Sequence, residues 1–253
     1  MNNYSSSAVV KTGRKIGRAT RDALRVAQSK ARQRSEWRHD TELIAEVRPY
    51  TMVLEPALLN LLDLVRSVQE AGIAGDFVEC GVWRGGSAFL MAKQLQQLGE
   101  HNRTVWLCDS FEGLPPPQQV DGPAALAWAE QKDSPGYFEN CRASVDDVQE
   151  SMERLGLSSR VKLVQGWFNE TLPAYRERIG PIALLRIDCD WYDSVWCCLD
   201  ELYDQVASGG VIILDDYYTW DGCTLATHEF LSKRRLSHRI LSVNSVVAYF
   251  FKQ

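Results

Sequence analysis

The stretch Phe77-Val-Glu-Cys-Gly-Val-Trp-Arg-Gly-Gly-Ser87 decides the fold of this chain of 253 residues. Its first four residues predict a short buried strand, its glycines at 81, 85 and 86 predict a tight turn, and a helix is expected to begin at Ser87. Glycines let the backbone approach a ligand closely, and the first turn of a helix presents free N–H groups. The spacing is neither the G-x-G-x-x-G of a dinucleotide site nor a phosphate-binding P-loop. Taken alone, the stretch is equally compatible with a turn that binds nothing.

The rest of the chain repeats this alternation of strand and helix. Apolar runs predict strands at Asp76–Cys80, Thr104–Cys108, Val161–Gln165, Ile182–Ile187 and Val211–Leu214, with a terminal antiparallel pair at Ile240–Val243 and Val246–Phe251. Amphipathic runs predict helices at Glu55–Gly72, Ser87–Leu98, Asp146–Leu155, Trp196–Val206 and Thr224–Lys233. Pro115 to Pro135 is predicted to be a long irregular insertion. The alternation predicts an α/β fold with a mostly parallel seven-stranded sheet and a C-terminal antiparallel hairpin.

Aspartates gather at the ends of two of these strands. Asp188 and Asp190 follow the fourth strand, and Asp215 and Asp216 follow the fifth. Adjacent parallel strands deliver their C-terminal ends to the same edge of a sheet, where ligands bind. Carboxylates gathered in one crevice repel each other unless a cation is present, and magnesium prefers oxygen ligands. The pattern predicts Mg²⁺ at Asp188, Asp215 and Asp216 in preference to the caps and turns that aspartate also favours.

The same aspartates predict the catalytic residues. A metal held by Asp188 would orient a substrate hydroxyl and lower its pKa, and a carboxylate beside it would accept the proton. Asp190 lies two residues beyond Asp188, on the same face of an extended segment, and is therefore the predicted base. The Trp and Tyr residues at 191–192, 217–218 and 220 suit stacking against sugar rings, although core packing explains some of them.

Two acids point to a nucleoside cofactor. Glu79 precedes the glycine turn, where its carboxylate can meet a cationic amino-acid group or hold the loop. Asp109 ends the second strand, 28 residues after Gly81. An acid in that place typically binds the two ribose hydroxyls of a nucleoside, and it can equally cap the turn from Ser110 to Gly113. Strand, glycine turn, helix, strand and acid is the order expected for S-adenosylmethionine.

Charge and cysteine content exclude several classes of protein. The chain has a net charge of −5, but residues 1–38 hold ten Lys/Arg and two acids, so the remainder has a net charge of −13. This acidic body argues against a nucleic-acid partner. Seven cysteines without a C-x-x-C pair predict reduced, buried thiols in a cytoplasmic protein. No apolar run is long enough for a transmembrane segment, and no secretory signal is expected.

The N-terminus predicts a basic helical extension, residues 1–48, ahead of a domain formed by residues 49–253. Residues 1–10 are polar and Ser-rich, which predicts disorder. Residues 11–38 place small apolar residues at helical spacing between basic ones. One interpretation is a solvated helix that packs on the body or on a partner subunit, and the other is a helix that lies on a membrane surface. The thin apolar face favours the first.

Several long motifs, in order, resemble the macrocin O-methyltransferase family of metal-dependent enzymes that methylate sugar hydroxyls of natural products. The resemblance runs from about Tyr50 to Phe230. Its motifs are Tyr50-Thr-Met52, Phe77–Ser87, Asp109-Ser-Phe-Glu-Gly-Leu-Pro115, Gly166-Trp-Phe168, Thr171-Leu-Pro173, Asp188-Cys-Asp-Trp-Tyr192 and Gly209-Gly-Val-Ile-Ile-Leu-Asp-Asp-Tyr217.

The resemblance implies a Rossmann-like class I methyltransferase fold, S-adenosylmethionine as methyl donor and a glycoside or saccharide as acceptor. It also implies magnesium at Asp188, Asp215 and Asp216, Asp190 as base, and a homo-oligomer. The residues that it places against the cofactor are Thr51, Met52, Glu79, Gly81, Ser87, Asp109, Ser110, Gly166, Trp167, Phe168 and Asp188.

Three features depart from the family pattern, and two alternatives stay open. One is the C-terminal segment Val246–Gln253, which is more aromatic than usual. The basic segment 1–38 lies outside the pattern, and His228 stands where the family tends to carry an acid, so it is expected either at the substrate or on the surface. One alternative keeps the chemistry but methylates a phenolic diol, as catechol-type enzymes do. The other is a scaffold protein without turnover, although crowded carboxylates are costly to hold and favour an enzyme.

Overall fold

The protein is described by a computed structural model that covers residues 38–243 and 245–253. The chain divides into two units, Met1–Glu42 and Leu43–Gln253. In the first unit, residues 38–42 are described and are helical. The predicted disorder of residues 1–10 and the predicted helix of residues 11–38 fall outside the described residues, apart from Arg38. The predicted domain boundary after residue 48 stays a prediction.

A seven-stranded sheet forms the centre of the second unit. Its strands are β1 (Asp76–Cys80), β2 (Val105–Asp109), β3 (Val161–Gln165), β4 (Ile182–Ile187), β5 (Val206–Leu214), β6 (Leu241–Ser242) and β7 (Ala248–Phe251). Their spatial order is β3-β2-β1-β4-β5-β7-β6. Strands β1 to β5 pair in parallel, and β7 runs antiparallel to both β5 and β6. The predicted α/β fold, with its C-terminal antiparallel hairpin, is confirmed.

Helices cover both faces of the sheet. They are α1 (Glu55–Glu70), α2 (Gly86–Gln97), α3 (Gly122–Glu130), α4 (Val145–Arg154), α5 (Phe168–Ile179), α6 (Tyr192–Leu202) and α7 (Asp221–Lys233). Residues 43–47 are also helical. One apolar core lies beneath α1, α2 and α4, and a second lies beneath α5, α6 and α7. Within the described residues, no helix is long and apolar enough to span a membrane.

Two helices, α3 and α5, are missing from the sequence prediction. In α5 the helix tolerates the internal Pro173 because Leu172 and Ile179 are buried against the sheet. In α3, Pro123 occupies the first turn, where proline needs no hydrogen-bond donor, and an alanine-rich stretch follows. The insertion from Pro115 to Pro135 is therefore partly helical. Strand β5 also begins earlier than predicted, so α6 is shorter at its C-terminal end.

Asp121 attaches this insertion to the rest of the fold. Its side chain is 2% exposed. One carboxylate oxygen accepts the backbone N–H of Tyr192 at 2.7 Å, and the other accepts that of Gln118, also at 2.7 Å. Tyr192 is the first residue of α6, so Asp121 caps that helix from a distant part of the chain. The insertion is thus held to the N-terminus of α6 by a buried carboxylate.

Replacing Asp121 with asparagine is expected to lower the free energy of unfolding by about 1–3 kcal/mol. The amide would keep one acceptor oxygen but turn an N–H₂ group toward one of the two backbone N–H donors. Chemical unfolding and limited proteolysis of the insertion measure this effect. The matched control is Asp193→Asn, because Asp193 lies exposed in the first turn of the same helix and bonds to Gln118 Nε2. Equal losses in the two variants would contradict the capping role.

Candidate active site

The site lies at the carboxyl edge of the sheet, where β1, β4 and β5 end side by side. The N–H of Asp188 donates to Cys80 O at 2.8 Å, and the N–H of Asp215 donates to Ile187 O at 3.0 Å. Backbone pairing therefore carries the two acidic segments to one place. Gly81 has a φ of 81°, and a Cβ there would overlap the carbonyl oxygen of Asp188. This glycine is required by strand packing, before any ligand is considered.

Arg186 supplies a cation that the sequence analysis did not anticipate. Its side chain is 2% exposed, and its Nη1 lies 2.5 Å from Glu79 Oε1 and 2.6 Å from Asp188 Oδ2. Its Nη2 lies 2.5 Å from Asp215 Oδ1. The sequence argument required a cation among the crowded carboxylates and took it to be a metal, but Arg186 already neutralises part of their charge, so magnesium stays a prediction. The signal was present, since an arginine inside the apolar run Ile182–Ile187 requires a charged partner.

One guanidinium does not balance all the carboxylates. Asp188, Asp215 and Asp216 each offer an oxygen within 4.8 Å of the others, and Asp216 Oδ2 is buried without a hydrogen-bond partner. Burial raises the pKa of Asp215 to about 6, and burial together with Asp190 and Asp188 raises the pKa of Asp216 well above its usual value. An all-oxygen donor set with an unpartnered buried oxygen fits a hard divalent cation, which would in turn favour the ionised carboxylates.

Asp190 lies beside this cluster in a different backbone conformation from the one predicted. Its φ is 58°, in the left-handed region, so the segment from Asp188 to Asp190 is not extended and the same-face argument was wrong. Its Oδ1 accepts the indole N–H of Trp220 at 2.7 Å. Burial and the nearby Asp188 raise the pKa of Asp190 to about 8, against the lowering effect of the Trp220 hydrogen bond.

A cavity of about 300 Å³ lies next to the carboxylates. Asp190, Asp215 and Asp216 line it. Of the residues predicted to contact the cofactor, ten line the same cavity: Thr51, Met52, Glu79, Gly81, Ser87, Asp109, Ser110, Trp167, Phe168 and Asp188. Gly166 is outside the lining, and its N–H donates to Asp109 O at 2.9 Å in the turn before α5. The ends of strands β1 to β5 and the loop before α1 thus contribute to a single space.

Asp109 is engaged by the backbone around it. One carboxylate oxygen accepts the N–H of Val82 and the other accepts that of Phe111, both at 2.7 Å. The carboxylate therefore joins the glycine turn after β1 to the turn after β2, as its capping interpretation requires. Asp109 also lines the cavity, so its remaining acceptor capacity is available to a ligand.

Glu79 turns one carboxylate oxygen to Arg186 and leaves the other unpartnered. Glu79 is 1% exposed, and its Oε2 is buried without a hydrogen-bond partner. Burial raises the pKa of Glu79 to about 8, although the neighbouring Arg186 opposes this shift. The predicted contact of Glu79 with a cationic amino-acid group stays a prediction, because the cation that Oε1 meets in the structure is Arg186. Oε2 is the atom left for a ligand.

Aromatic residues form the wall of the cavity beyond Asp190. Trp128, from the insertion, and Trp220 line the cavity, with their ring centroids 6.3 Å apart in an edge-to-face arrangement. Trp191 packs behind Trp220 at 5.2 Å and is 2% exposed, which agrees with core packing for that residue. Sequence reasoning missed Trp128 because the insertion was taken as irregular, and a tryptophan in an alanine-rich stretch was the available signal.

His228 lies outside the cavity, whereas two of the cysteines, Cys141 and Cys189, line it. His228 is exposed, does not line the cavity, and shares a 2.7 Å hydrogen bond with Tyr217 Oη, in agreement with its surface interpretation. All seven cysteines fall within the described residues and are free thiols, and five of them are buried. The predicted absence of a disulfide framework stays a prediction.

Comparison with known proteins assigns the family. The family described as Macrocin-O-methyltransferase (TylF) matches residues 6–252. The chain belongs to this family. The enzyme is therefore an S-adenosylmethionine-dependent O-methyltransferase, which removes the support for a scaffold without turnover. The match also begins at residue 6, so the expectation that the basic segment 1–38 lies outside the family pattern was wrong.

Relatives and solved structures agree with this assignment. The enzyme is 35% identical, over 77% of its chain and 72% of the relative, to the 8-demethyl-8-(2,3-dimethoxy-alpha-L-rhamnosyl)-tetracenomycin-C 4'-O-methyltransferase of Streptomyces olivaceus. It is 33% identical, over 79% of its chain and 77% of the relative, to the mycinamicin III 3''-O-methyltransferase of Micromonospora griseorubida. The structure of the O-methyltransferase NovP superposes with a TM-score of 0.73, 31% identity and coverage of 81% and 82% of the two chains. The predicted class I methyltransferase fold is confirmed.

Proposed function

We propose that this enzyme transfers a methyl group from S-adenosylmethionine to a sugar hydroxyl of a glycosylated natural product or saccharide, with magnesium at Asp188, Asp215 and Asp216. The observation that carries the proposal is that these three carboxylates line the same cavity as the residues predicted to hold the cofactor. A methyl donor and a metal-bound hydroxyl would therefore meet in one space. The relative from Streptomyces olivaceus, whose named substrate carries a rhamnosyl group, supports a sugar acceptor.

The charge of the cavity favours an acceptor without phosphate. Its ionisable lining includes six acids: Glu79, Asp109, Asp188, Asp190, Asp215 and Asp216. None of the described residues that line it is Lys or Arg. A nucleoside diphosphate sugar would bring two phosphates against this lining and would be repelled. A neutral or cationic glycoside carries no such penalty.

The rim of the cavity favours an acceptor with an apolar body. Leu54 is 61% exposed and Phe138 is 44% exposed, and both line the cavity. Exposed apolar side chains grouped around one cavity mark a binding surface. The sugar would lie against Trp128 and Trp220, and the aglycone would cover Leu54 and Phe138.

Chemistry at the site follows from the placement of the protein's own groups. Bound S-adenosylmethionine supplies the electrophilic methyl group, and bound magnesium supplies positive charge that lowers the pKa of the acceptor hydroxyl. Asp190 accepts the proton of that hydroxyl. Trp128 and Trp220 orient the sugar ring, and Asp109 holds the glycine turn against the cofactor side of the cavity. Arg186 keeps Asp188 and Asp215 in place before the metal binds.

Three further parts of the proposal concern the whole molecule. The enzyme is proposed to be a homo-oligomer in the cytoplasm. Residues 1–48 are proposed to form an extension that contributes to the acceptor site of a neighbouring subunit. Nucleic acid is not proposed as a partner, because the chain after residue 38 has a net negative charge.

Calorimetric titration of S-adenosylhomocysteine, with and without magnesium, is the first test. We expect micromolar or tighter binding, followed by magnesium-dependent methylation of the rhamnosyl tetracenomycin compound or mycinamicin III, detected by mass spectrometry. Turnover that survives chelation with EDTA would remove magnesium from the proposal. If catechol were methylated faster than either glycoside, the proposed acceptor would be a phenolic diol and not a sugar. Absence of cofactor binding in both conditions would overturn the proposal as a whole.

A further inference from the structure

We infer that Trp220 is a positioning residue. It fixes the position of the Asp190 carboxylate relative to the carboxylates that are proposed to bind the metal. The inference rests on the proposed function, in which Asp190 accepts the proton of the acceptor hydroxyl. Neither the family assignment nor the carboxylate cluster identifies what fixes Asp190. The described contacts of Trp220 provide that constraint.

Asp190 needs an external constraint because it lies in a turn, beyond the last residue of β4. Its φ of 58° is in the left-handed region, which residues with a Cβ seldom adopt and aspartate adopts more readily than most. The turn from β4 to α6 alone would not keep the carboxylate in one orientation. The indole N–H of Trp220 donates to Asp190 Oδ1 at 2.7 Å, a short hydrogen bond that fixes the position of this oxygen.

Trp220 joins the two acidic loops through two different groups. Its backbone N–H donates to Asp216 O at 3.1 Å, while its side-chain N–H donates to Asp190. Asp216 belongs to the carboxylate cluster, and Asp190 follows another strand. One residue thus sets the separation between the proposed base and a proposed metal ligand.

The ring of Trp220 is itself held in place. It makes edge-to-face contacts with Trp191 at 5.2 Å and with Trp128 at 6.3 Å. Because Trp191 and Trp128 restrict the indole of Trp220, the hydrogen bond from this indole also restricts the Asp190 carboxylate. Trp220 also lines the cavity, so a sugar stacked on Trp128 and Trp220 would lie beside the proposed base.

The test is Trp220→Phe, which keeps an aromatic ring and removes the N–H donor. With the glycoside that the unaltered enzyme methylates fastest, of mycinamicin III and the rhamnosyl tetracenomycin compound, we expect kcat to fall about 10- to 100-fold. We expect the KM for S-adenosylmethionine and the calorimetric affinity for S-adenosylhomocysteine to stay within about twofold of the original values, since the altered group lies on the acceptor side.

The matched control is Trp106→Phe. The indole N–H of Trp106 also donates to an aspartate, Asp76 Oδ2, at 2.8 Å, and Asp76 begins β1 at the opposite end of the sheet. The control therefore loses the same kind of hydrogen bond and a similar ring volume, away from the cavity. We expect its kcat to remain unchanged. Equal kcat values in the two variants would overturn the positioning role.

A double-mutant cycle separates this inference from the function on which it rests. If Trp220 acts through Asp190, the kcat of the double variant Trp220→Phe/Asp190→Asn should equal that of Asp190→Asn. Effects that multiply in the double variant would overturn the positioning role. An unchanged kcat in Asp190→Asn, or no turnover of either glycoside by the unaltered enzyme, would instead overturn the proposed function and the inference with it.

Discussion

Replacing Arg186 with methionine is expected to lower the free energy of unfolding by about 3–5 kcal/mol, a large part of the stability of an ordinary domain. The guanidinium contacts Glu79, Asp188 and Asp215 at 2.5–2.6 Å and is 2% exposed. Methionine fills a similar volume but leaves these carboxylates without their internal cation. Urea unfolding measures the loss.

The pH dependence of the Arg186→Met variant has a defined sign. Without the guanidinium, buried Glu79 and Asp215 take up protons in the folded state more readily than in the unfolded chain. Their folded-state pKa values therefore lie above the unfolded ones, and stability falls as pH rises through that interval. We expect the difference from the unaltered enzyme to be smaller at pH 5 than at pH 8. Magnesium should return part of the lost stability by neutralising Asp188 and Asp215.

Arg160→Met is the matched control for this prediction. Arg160 is also buried, at 7% exposed, but its guanidinium donates to the backbone carbonyls of Arg103 and Glu100 instead of carboxylates. Its loss leaves neutral acceptors unpaired and no buried anion. We expect a smaller loss of stability that magnesium does not reverse. If both variants lost a similar free energy of unfolding, or if their stabilities depended equally on pH, the carboxylates around Arg186 would be neutral because they are protonated.

The strand ends that carry the aspartates were predictable, because their signals are local. Asp188 and Asp215 each follow an apolar run, the first of which is interrupted only by Arg186, and parallel pairing of adjacent strands must then bring them together. The glycine turn after β1 was predictable for the same reason. Its glycine at position 81, however, is needed for a close approach to Asp188 that no local pattern reveals.

The electrostatic partners could not be paired from the sequence. Arg186 was visible as an arginine in an apolar strand, but its contact with Glu79 depends on the register between β1 and β4. The left-handed backbone of Asp190 depends on its turn and on Trp220, which is 30 residues away. Alternation of side chains along an extended strand was the wrong rule beyond the end of β4, since the strand has already stopped there.

Tertiary contacts also decided the two missing helices. Pro173 predicts a break, but burial of the apolar side of α5 outweighs the lost hydrogen bond. The insertion was predicted to be irregular because of its prolines, but Asp121 attaches it to α6 and Trp128 on α3 reaches the cavity. The aromatic wall of the cavity was therefore the part of the site that sequence reasoning described least well.

Replacing Asp188 with asparagine is expected to reduce turnover of the accepted glycoside by at least about 100-fold while S-adenosylhomocysteine still binds. Asp188 shares its carboxylate between Arg186 and the cluster with Asp215 and Asp216. Asparagine keeps the shape of the side chain and one oxygen but removes the negative charge that a magnesium ion needs. Steady-state kinetics and calorimetry on the same preparation separate the chemical step from cofactor binding.

The rise in melting temperature that magnesium causes distinguishes the loss of a metal ligand from a damaged fold. Magnesium should raise the melting temperature of the unaltered enzyme, since it binds only the folded cluster, and should do so far less in Asp188→Asn. Asp204→Asn is the matched control, because Asp204 also pairs with an arginine, Arg234, at 2.5 Å, but on the surface. It should keep both turnover and the magnesium response. Full magnesium stabilisation of Asp188→Asn would remove Asp188 from the metal site, and unchanged turnover would also remove it from the catalytic residues.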